Sequence, residues 1–143
     1  PMYAVLPPED PHRGRFPLRD FQGLDFIMPY QGFDRDILRI FRAMGVQPNV
    51  QSSEMDDPTV ISMVRHGLGV SMMTELTLRG YTQQILALPV EPAASRELGI
   101  ALRSRSGDTA VCRCFIACAR RVVREMTDEK DANATDESAP KGV

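Results

Sequence analysis

Gly and Pro residues divide the chain into short apolar segments of two kinds. Compact apolar runs between turn residues are typical of buried strands, whereas apolar residues spaced three and four apart are typical of one helix face. The predicted strands are residues 2–6, 25–28, 50–53, 70–73, 85–90 and 98–102. The predicted helices are residues 33–44, 57–66, 74–78 and 109–126, and residues 8–19 are predicted to form a loop. This pattern indicates an α/β protein.

Residues 25–73 alternate strand, helix, strand, helix and strand. This order implies a parallel sheet with right-handed crossover connections. Ligands of such sheets bind beyond the carboxyl ends of the strands. Residues 28–33 and 53–57 each join a strand end to a helix start, and Thr74 follows the third strand. We therefore expect these three positions to share one edge of the sheet and to form half of a pocket for a small molecule.

The side chains at this expected edge suit a small ligand but leave its charge open. Gln31 and Ser53 can donate and accept hydrogen bonds, and Tyr30 and Phe33 can line a pocket for an apolar ligand. Amides at helix starts favour an anion, whereas the carboxylates of residues 54–57 oppose one. Ordinary loops with helix-capping residues explain any single one of these positions equally well.

The segment Gly67–Gly69 raises the question of a phosphate-binding loop. Asp57 is predicted to cap the preceding helix, and Pro58 suits its first position. Gly67 then suits the left-handed position after the helix, and residues 70–73 follow as a strand. Phosphate sites need the reverse order, because a helix N-terminus must supply the amides. The glycines are therefore predicted to turn the chain rather than to bind phosphate.

Composition limits the possible functions. The chain has 143 residues and a formal net charge of -2, which argues against a nucleic-acid surface dominated by basic residues. No apolar run approaches the roughly 18 residues of a membrane-spanning helix. No secretory signal opens the chain, so a cytoplasmic location is expected.

The last predicted helix, which Asp108 is expected to cap, has a continuous apolar stripe formed by Cys112, Phe115, Ile116, Ala119, Val122, Val123 and Met126. Its three cysteines are expected to be reduced and packed as small apolar residues, because no histidine lies near them to complete a metal site. Its arginines are expected to form a solvated face. From Thr127 onward the chain has too little apolar surface to offset the entropy of ordering, so disorder is predicted.

The sequence contains no recognisable catalytic set. His12 and His66 are its only histidines, and His66 is expected to be a satisfied surface residue beside a helix end. There is no Gly-x-Ser-x-Gly elbow, no His-Glu-x-x-His and no P-loop. Glu54, Asp56 and Asp57 could bind a divalent ion, but a loop with a helix cap explains them more simply. We therefore expect no enzyme activity, no metal site and no cofactor.

Several segments, taken in order, resemble the effector-binding domain of LysR-type transcriptional regulators. The matching features are Val5-Leu6-Pro7-Pro8 with Asp10-Pro11, Leu18-Arg19-Asp20-Phe21 leading into Phe26-Ile27, Gly45-Val46-Gln47-Pro48, Asp57-Pro58-Thr59, Gly67-Leu68-Gly69-Val70 and Leu86-Ala87-Leu88-Pro89-Val90. Residues 96–126 resemble the family's final strands and last helix. The resemblance covers residues 1 to about 126.

The resemblance implies a periplasmic-binding-protein-like α/β fold of two subdomains, with a small effector in the cleft between them. On this basis residues 1–79 form a complete Rossmann-like second subdomain, residues 80–126 return to the first subdomain and supply the C-terminal helix, and residues 127–143 form the disordered tail. Together with the edge argument, it implies a set of effector-binding residues: Tyr30, Gln31, Gly32, Phe33, Ser53, Glu54 and Thr74.

The resemblance also implies a function and partners. We expect a domain that senses a small-molecule effector and controls transcription, in a parent protein that forms homo-oligomers, either dimers or tetramers. The family's N-terminal winged helix-turn-helix is not in this sequence, so DNA contact is expected only through a domain outside this chain. The alternative is a solute-binding module of a transporter component, which would share the fold. No membrane partner is expected.

Overall fold

The computed structural model describes residues 1–29, 34–101 and 109–136. Its elements in chain order are β1 (Met2–Leu6), β2 (Phe16–Pro17), a 3-10 helix (Leu18–Phe21), β3 (Asp25–Pro29), α1 (Asp34–Met44), β4 (Asn49–Met55), α2 (Asp57–Arg65), β5 (Ser71–Thr74), α3 (Glu75–Leu78), β6 (Leu86–Glu91) and α4 (Ala110–Asp136). The predicted strands at residues 2–6, 25–28, 50–53, 70–73 and 85–90 are confirmed as β1, β3, β4, β5 and β6. The four predicted helices are also present.

The sheet contains parallel and antiparallel neighbours. Four strands lie in the order β2-β6-β1-β5, in which β1 is antiparallel to both β5 and β6, and β2 is parallel to β6. β3 pairs with β4 in parallel, and Phe26 of β3 forms a parallel bridge with Val70, the residue before β5. The Ile27 amide donates to the Val70 carbonyl at 2.9 Å, and the Val70 amide donates to the Asp25 carbonyl at 2.8 Å. The predicted parallel arrangement of β3, β4 and β5 is therefore confirmed.

The alternation of side chains in β1 directs them into two apolar clusters on opposite faces of the sheet. The cluster on the α1 side contains Met2, Ala4, Leu6, Phe16, Leu18, Phe21, Phe26, Met28, Ile37 and Phe41, among others. The cluster on the α2 side contains Val5, Ile27, Val60, Ile61, Val64, Met73, Leu78 and Ile85. These residues are buried, so α1 and α2 each cover one face of the sheet.

Two glycines join α2 to β5, as the sequence predicts. Gly67 has a φ of 75°, and the Leu68 amide donates to the Met63 carbonyl at 3.1 Å, which closes the helix end. Gly69 is needed for a different reason, since a Cβ atom there would lie 2.7 Å from the Asp25 carbonyl oxygen. The two glycines therefore end a helix and let the chain approach β3 closely.

Other parts of the chain differ from the sequence-based prediction. The predicted loop at residues 8–19 contains β2 and the start of the 3-10 helix, because Phe16 and Leu18 are buried in the core. The prediction of a strand at residues 98–102 is wrong for residues 98–101, which have no regular secondary structure. Residue 102 lies outside the described residues. β6 pairs with β1 and β2.

The chain divides into two compact units, residues 1–97 and residues 98–143. The predicted boundary between residues 79 and 80 stays a prediction. In the second unit α4 extends to Asp136, whereas composition alone predicts disorder from Thr127 onward. Extending an existing helix needs no new nucleation, which is a physical reason for this difference. The prediction of a disordered tail also covers residues 137–143, which lie outside the described residues.

The N-terminal part of α4 differs from the prediction in its cap and its cysteines. Asp108, the predicted cap, lies outside the described residues, and the Thr109 hydroxyl oxygen accepts from the Cys112 amide at 3.2 Å. All three cysteines are free, as expected, but Cys114 and Cys118 are exposed rather than packed. The prediction of their packing is wrong because this part of α4 is largely exposed, including Phe115 on its apolar stripe.

Candidate functional site

The carboxyl ends of β3 and β4 meet at one edge of the sheet. Pro29 and Met55, the last residues of the two strands, are register partners. β3 lies between β4 and Val70, so β5 continues beside β3 in the same direction and ends at Thr74. Parallel strands that are aligned in this way place their following loops together. The common edge predicted from the strand and helix order is therefore present in the backbone, and we call it the strand-end edge.

The start of α2 belongs to the strand-end edge, and its cap is Asp56. The Asp56 Oδ1 atom accepts from the Thr59 amide at 2.8 Å, and α2 begins one residue later, at Asp57. The prediction of Asp57 as the cap is therefore wrong, because Asp57 already has a helical position. Hydrogen bonds from the Thr59 side chain and backbone stabilise the ionised form of Asp56 and lower its pKa.

Asp57 has the opposite electrostatic environment. Partial burial raises its pKa, and the neighbouring Asp56 carboxylate raises it further by repulsion. Two carboxyl groups thus lie next to each other where β4 passes into α2. The amide of Thr59 already has an acceptor in Asp56, so this helix start is a weaker anion site than an uncapped one.

Thr74 ends β5 and caps α3. Its hydroxyl oxygen accepts from the Thr77 amide at 3.3 Å and lies 3.1 Å from the Thr77 hydroxyl. The residue is half-buried. Capping of α3 is therefore sufficient to explain a threonine at this position.

The other predicted effector-binding residues divide into two groups. Ser53 and Glu54 lie in β4 directly before its last residue, Met55. Tyr30, Gln31, Gly32 and Phe33 lie outside the described residues. The structure thus places the backbone of residues 53–54 at the strand-end edge. β3 lies between these residues of β4 and the strand β5. The assignment of the seven residues to effector binding stays a prediction.

Comparison with known proteins identifies the family. The sequence model of one protein family, the LysR substrate binding domain, matches residues 1–124. The chain belongs to this family. Its fold class is therefore the α/β, periplasmic-binding-protein-like class that the resemblance implies, and the resemblance itself is confirmed. The LysR substrate binding domain is a class of ligand-binding domains rather than a class of enzymes.

Individual proteins resemble this chain at low sequence identity. The uncharacterised HTH-type transcriptional regulator YcgK of Bacillus subtilis (strain 168) is 24% identical over 124 residues, which are 85% of this chain and 38% of YcgK. The PA01 protein of Pseudomonas aeruginosa, assigned to the LysR family of transcriptional regulators, superimposes with a TM-score of 0.70 at 24% identity, over 85% of this chain and 44% of that chain. The chain thus spans less than half the length of these two relatives.

A third relative shares the fold at lower identity. The regulatory domain of CcmR from Synechocystis PCC6803, solved in complex with 2-PG, has a TM-score of 0.66 and 16% identity, over 85% of this chain and 62% of that chain. At this identity the similarity shows the fold alone.

The histidine at the end of α2 and the metal-ligating residue types can be assessed within the described residues. His66 packs its ring at the end of α2, where its Nδ1 atom lies 2.7 Å from the Ser62 carbonyl oxygen, in agreement with a satisfied surface histidine. No cluster of three or more His, Cys, Asp or Glu residues suited to a metal ion occurs within residues 1–29, 34–101 and 109–136. Across the same described ranges, no helix is both long and apolar enough to cross a membrane.

The structure also contains a cavity that the sequence pattern does not predict. Its volume is about 260 Å³, and it lies between α3 and the strands β1 and β6. Its lining residues are Tyr3, Glu75, Leu78, Arg79, Thr82 and Ala87. The sequence held one weak signal for it, namely a small residue, Ala87, among the larger apolar residues of β6.

Proposed function

We propose that this chain is the effector-sensing domain of a LysR-type transcriptional regulator and that it binds a small molecule at the strand-end edge. The observation that carries this proposal is the pairing of Pro29 with Met55, because it brings the carboxyl ends of β3 and β4 to one place. Membership of the LysR substrate binding domain family supports the same function. No observation favours the alternative of a transporter's solute-binding module.

In this proposal each predicted residue has a role that its chemistry allows. Ser53 and Gln31 would hydrogen-bond polar groups of the effector, and Tyr30 and Phe33 would cover its apolar part. Gly32 would let the loop approach the ligand, and Glu54 would accept from hydroxyl or amino groups. Because the Thr74 hydroxyl already caps α3, we expect Thr74 to shape the edge rather than to supply the main hydrogen bond.

Similar domains support a small molecule as the ligand class. The effector-binding domain of QuiR is described in complex with shikimate, and that of BenM with benzoate. The QuiR domain has a TM-score of 0.58 and 20% identity to this chain, so the similarity concerns the fold. The charge of the present effector stays open, because Asp56 and Asp57 lie beside the amides that would otherwise favour an anion.

Control of transcription would follow from a shift between conformational states. A ligand changes such an equilibrium only by its different affinity for the two states. We propose that the effector does so in a longer, homo-oligomeric cytoplasmic protein, which contacts DNA through a domain outside this chain.

A thermal-shift screen of small metabolites tests effector binding by the full chain. A ligand that binds the folded state raises the melting temperature, and at a hundred times its dissociation constant it adds about 2.7 kcal/mol of stability. Ser53→Ala should weaken the active metabolite by about tenfold, which is about 1.4 kcal/mol. Ser62→Ala is the matched control, since Ser62 is exposed on α2, away from the edge.

Two outcomes would count against the proposal. One is a screen in which no metabolite raises the melting temperature in a concentration-dependent way. The other is an active metabolite whose affinity falls equally in Ser53→Ala and Ser62→Ala, because its site would then not be the strand-end edge.

A further inference from the structure

We propose that the cavity between α3 and the strands β1 and β6 is a second small-molecule site, which takes a compound with one carboxylate and a small apolar body. Its volume of about 260 Å³ lies just below the range of roughly 300–1,000 Å³ for ligand pockets, so it fits only a small compound. None of its lining residues is among the seven residues proposed for the strand-end edge. The inference therefore goes beyond the proposed function and does not depend on it.

The floor of the cavity follows from the register of β1 and β6. Tyr3 pairs with Pro89, and Val5 pairs with Ala87, so these side chains lie on the same face of the sheet. Ala87 carries only a methyl group, whereas Ile85 and Pro89, two positions away on the same face, carry larger side chains. Space is therefore left beside the Tyr3 ring, on the sheet face that α2 and α3 cover.

The wall of the cavity is apolar at its base and polar at its mouth. Leu78 is buried, with 3% of its surface exposed, and Tyr3 and Ala87 are half-buried. Thr82 lies in the turn after α3 and is exposed. A ligand would thus bury an apolar body against the base and keep a polar group near solvent, which is the usual division of a small-molecule pocket.

Arg79 makes the polar mouth of the cavity favour a ligand with a carboxylate group. Its side chain is exposed, and within the described part of the chain it forms no hydrogen bond or ion pair. A guanidinium group binds a carboxylate through two parallel hydrogen bonds, which makes it the natural partner for one anionic group. Glu75 also lines the cavity, so its carboxylate lies at the same site as the Arg79 guanidinium.

A matched set of probes tests this preference. The full chain is titrated with 3-phenylpropanoate, with the uncharged 3-phenylpropanamide and with the dianion phenylsuccinate, and backbone amide shifts are followed by NMR. We expect saturable shifts at Tyr3 and residues 78–82 with 3-phenylpropanoate. The uncharged probe should bind about tenfold more weakly, because it lacks the charge that Arg79 pairs. Phenylsuccinate should bind no more tightly than 3-phenylpropanoate, because the described residues that line the cavity offer one guanidinium group, that of Arg79.

Variants separate the cavity from non-specific binding. Arg79→Gln should weaken 3-phenylpropanoate by about tenfold, whereas Arg65→Gln, on an exposed arginine of α2, should leave it unchanged. Ala87→Ile should remove binding by filling the floor. If Ala87→Ile does not fold, the Arg79→Gln variant and the uncharged probe still decide the question.

Three results would overturn the inference: the absence of saturable shifts, equal binding of the uncharged probe, or shifts confined to residues 49–57. The last result would place the probe at the strand-end edge and would support the proposed function while removing the second site. Conversely, failure of the metabolite screen at the edge would leave the cavity titration unaffected.

Discussion

Phe26 lies in an apolar strand segment and Phe115 on an apolar helix stripe, both identified from the sequence, yet their surroundings differ. Phe26 has no exposed surface and contacts Phe21 and Phe41 edge-on, with ring centroids 5.7 and 5.2 Å away. Phe115, on α4, is 66% exposed. An amphipathic pattern therefore predicts that an element forms, but burial depends on whether another element covers its apolar face.

The apolar stripe of α4 shows that the two units differ in how far their apolar side chains are buried. Val122 and Val123 of the stripe are 47% and 61% exposed, and Val111, which lies on α4 outside the stripe, is 78% exposed. Leu98 and Ile100, in the same unit, are 70% and 52% exposed. In residues 1–97 most large apolar side chains lie in two buried clusters, although Leu68 and Leu76 are exposed. The stability of the first unit should therefore depend on its core residues far more than that of the second unit depends on the α4 stripe.

A pair of phenylalanine substitutions tests the contrast where the effect should be largest. Phe26→Ala should destabilise the protein by about 3–5 kcal/mol, because it removes a buried ring and leaves a cavity. Phe115→Ala should change the free energy of unfolding by less than about 0.5 kcal/mol, as for other exposed positions. Urea unfolding measures both. A large loss in Phe115→Ala would mean that its side chain is covered in solution and would break the comparison.

The same contrast between a packed and an open position recurs at the two glycines before β5. Gly69→Ala should cost about 1–3 kcal/mol, because its Cβ would overlap the Asp25 carbonyl, and Gly69→Asn should cost no less. Gly67 has open space around it but a φ of 75°, so Gly67→Ala should cost about 1–2 kcal/mol. Gly67→Asn should recover part of that loss, since asparagine tolerates this conformation. Thermal unfolding of the four variants compares them, and equal recovery by asparagine at both sites would contradict the close approach to Asp25.

Much of the first unit could be predicted because its pattern and its contacts agree. The runs at residues 25–28 and 70–73 become neighbouring strands, and Gly67 ends a helix as its position predicts. The pairing of β6 with β1 could not be predicted, because strand order is set by contacts between residues far apart in the sequence.

The candidate site was predicted less completely. Strand and helix order predicted the strand-end edge, and the backbone register of Pro29 and Met55 agrees with it. Asp56 and Asp57 were confused because either carboxylate fits a cap, and only the position of the first helical turn separates them. The cavity beside Ala87 was missed because it depends on how β1, β6 and α3 pack, which no local pattern records.

Asp56 and Asp57 provide the prediction with the smallest expected effect. The pKa of Asp56 is lowered in the folded state, so its contribution to stability is present above the ordinary aspartate pKa of about 3.9 and is lost as the pH falls through the lowered value. The pKa of Asp57 is raised, so ionised Asp57 weakens the folded state at neutral pH, and this penalty disappears as the pH falls through the raised value.

The corresponding asparagine variants should therefore change stability in opposite directions. Asp57→Asn should stabilise the protein at pH 7, by no more than about 0.5 kcal/mol because the group is largely solvated, and the gain should vanish toward pH 3. Asp56→Asn should lower the melting temperature at pH 7 and reduce the loss of stability on acidification. Melting temperatures measured between pH 3 and pH 7 test both signs. If Asp57→Asn instead lowers the melting temperature at pH 7, the carboxylate of Asp57 rather than that of Asp56 would be the one that stabilises the start of α2.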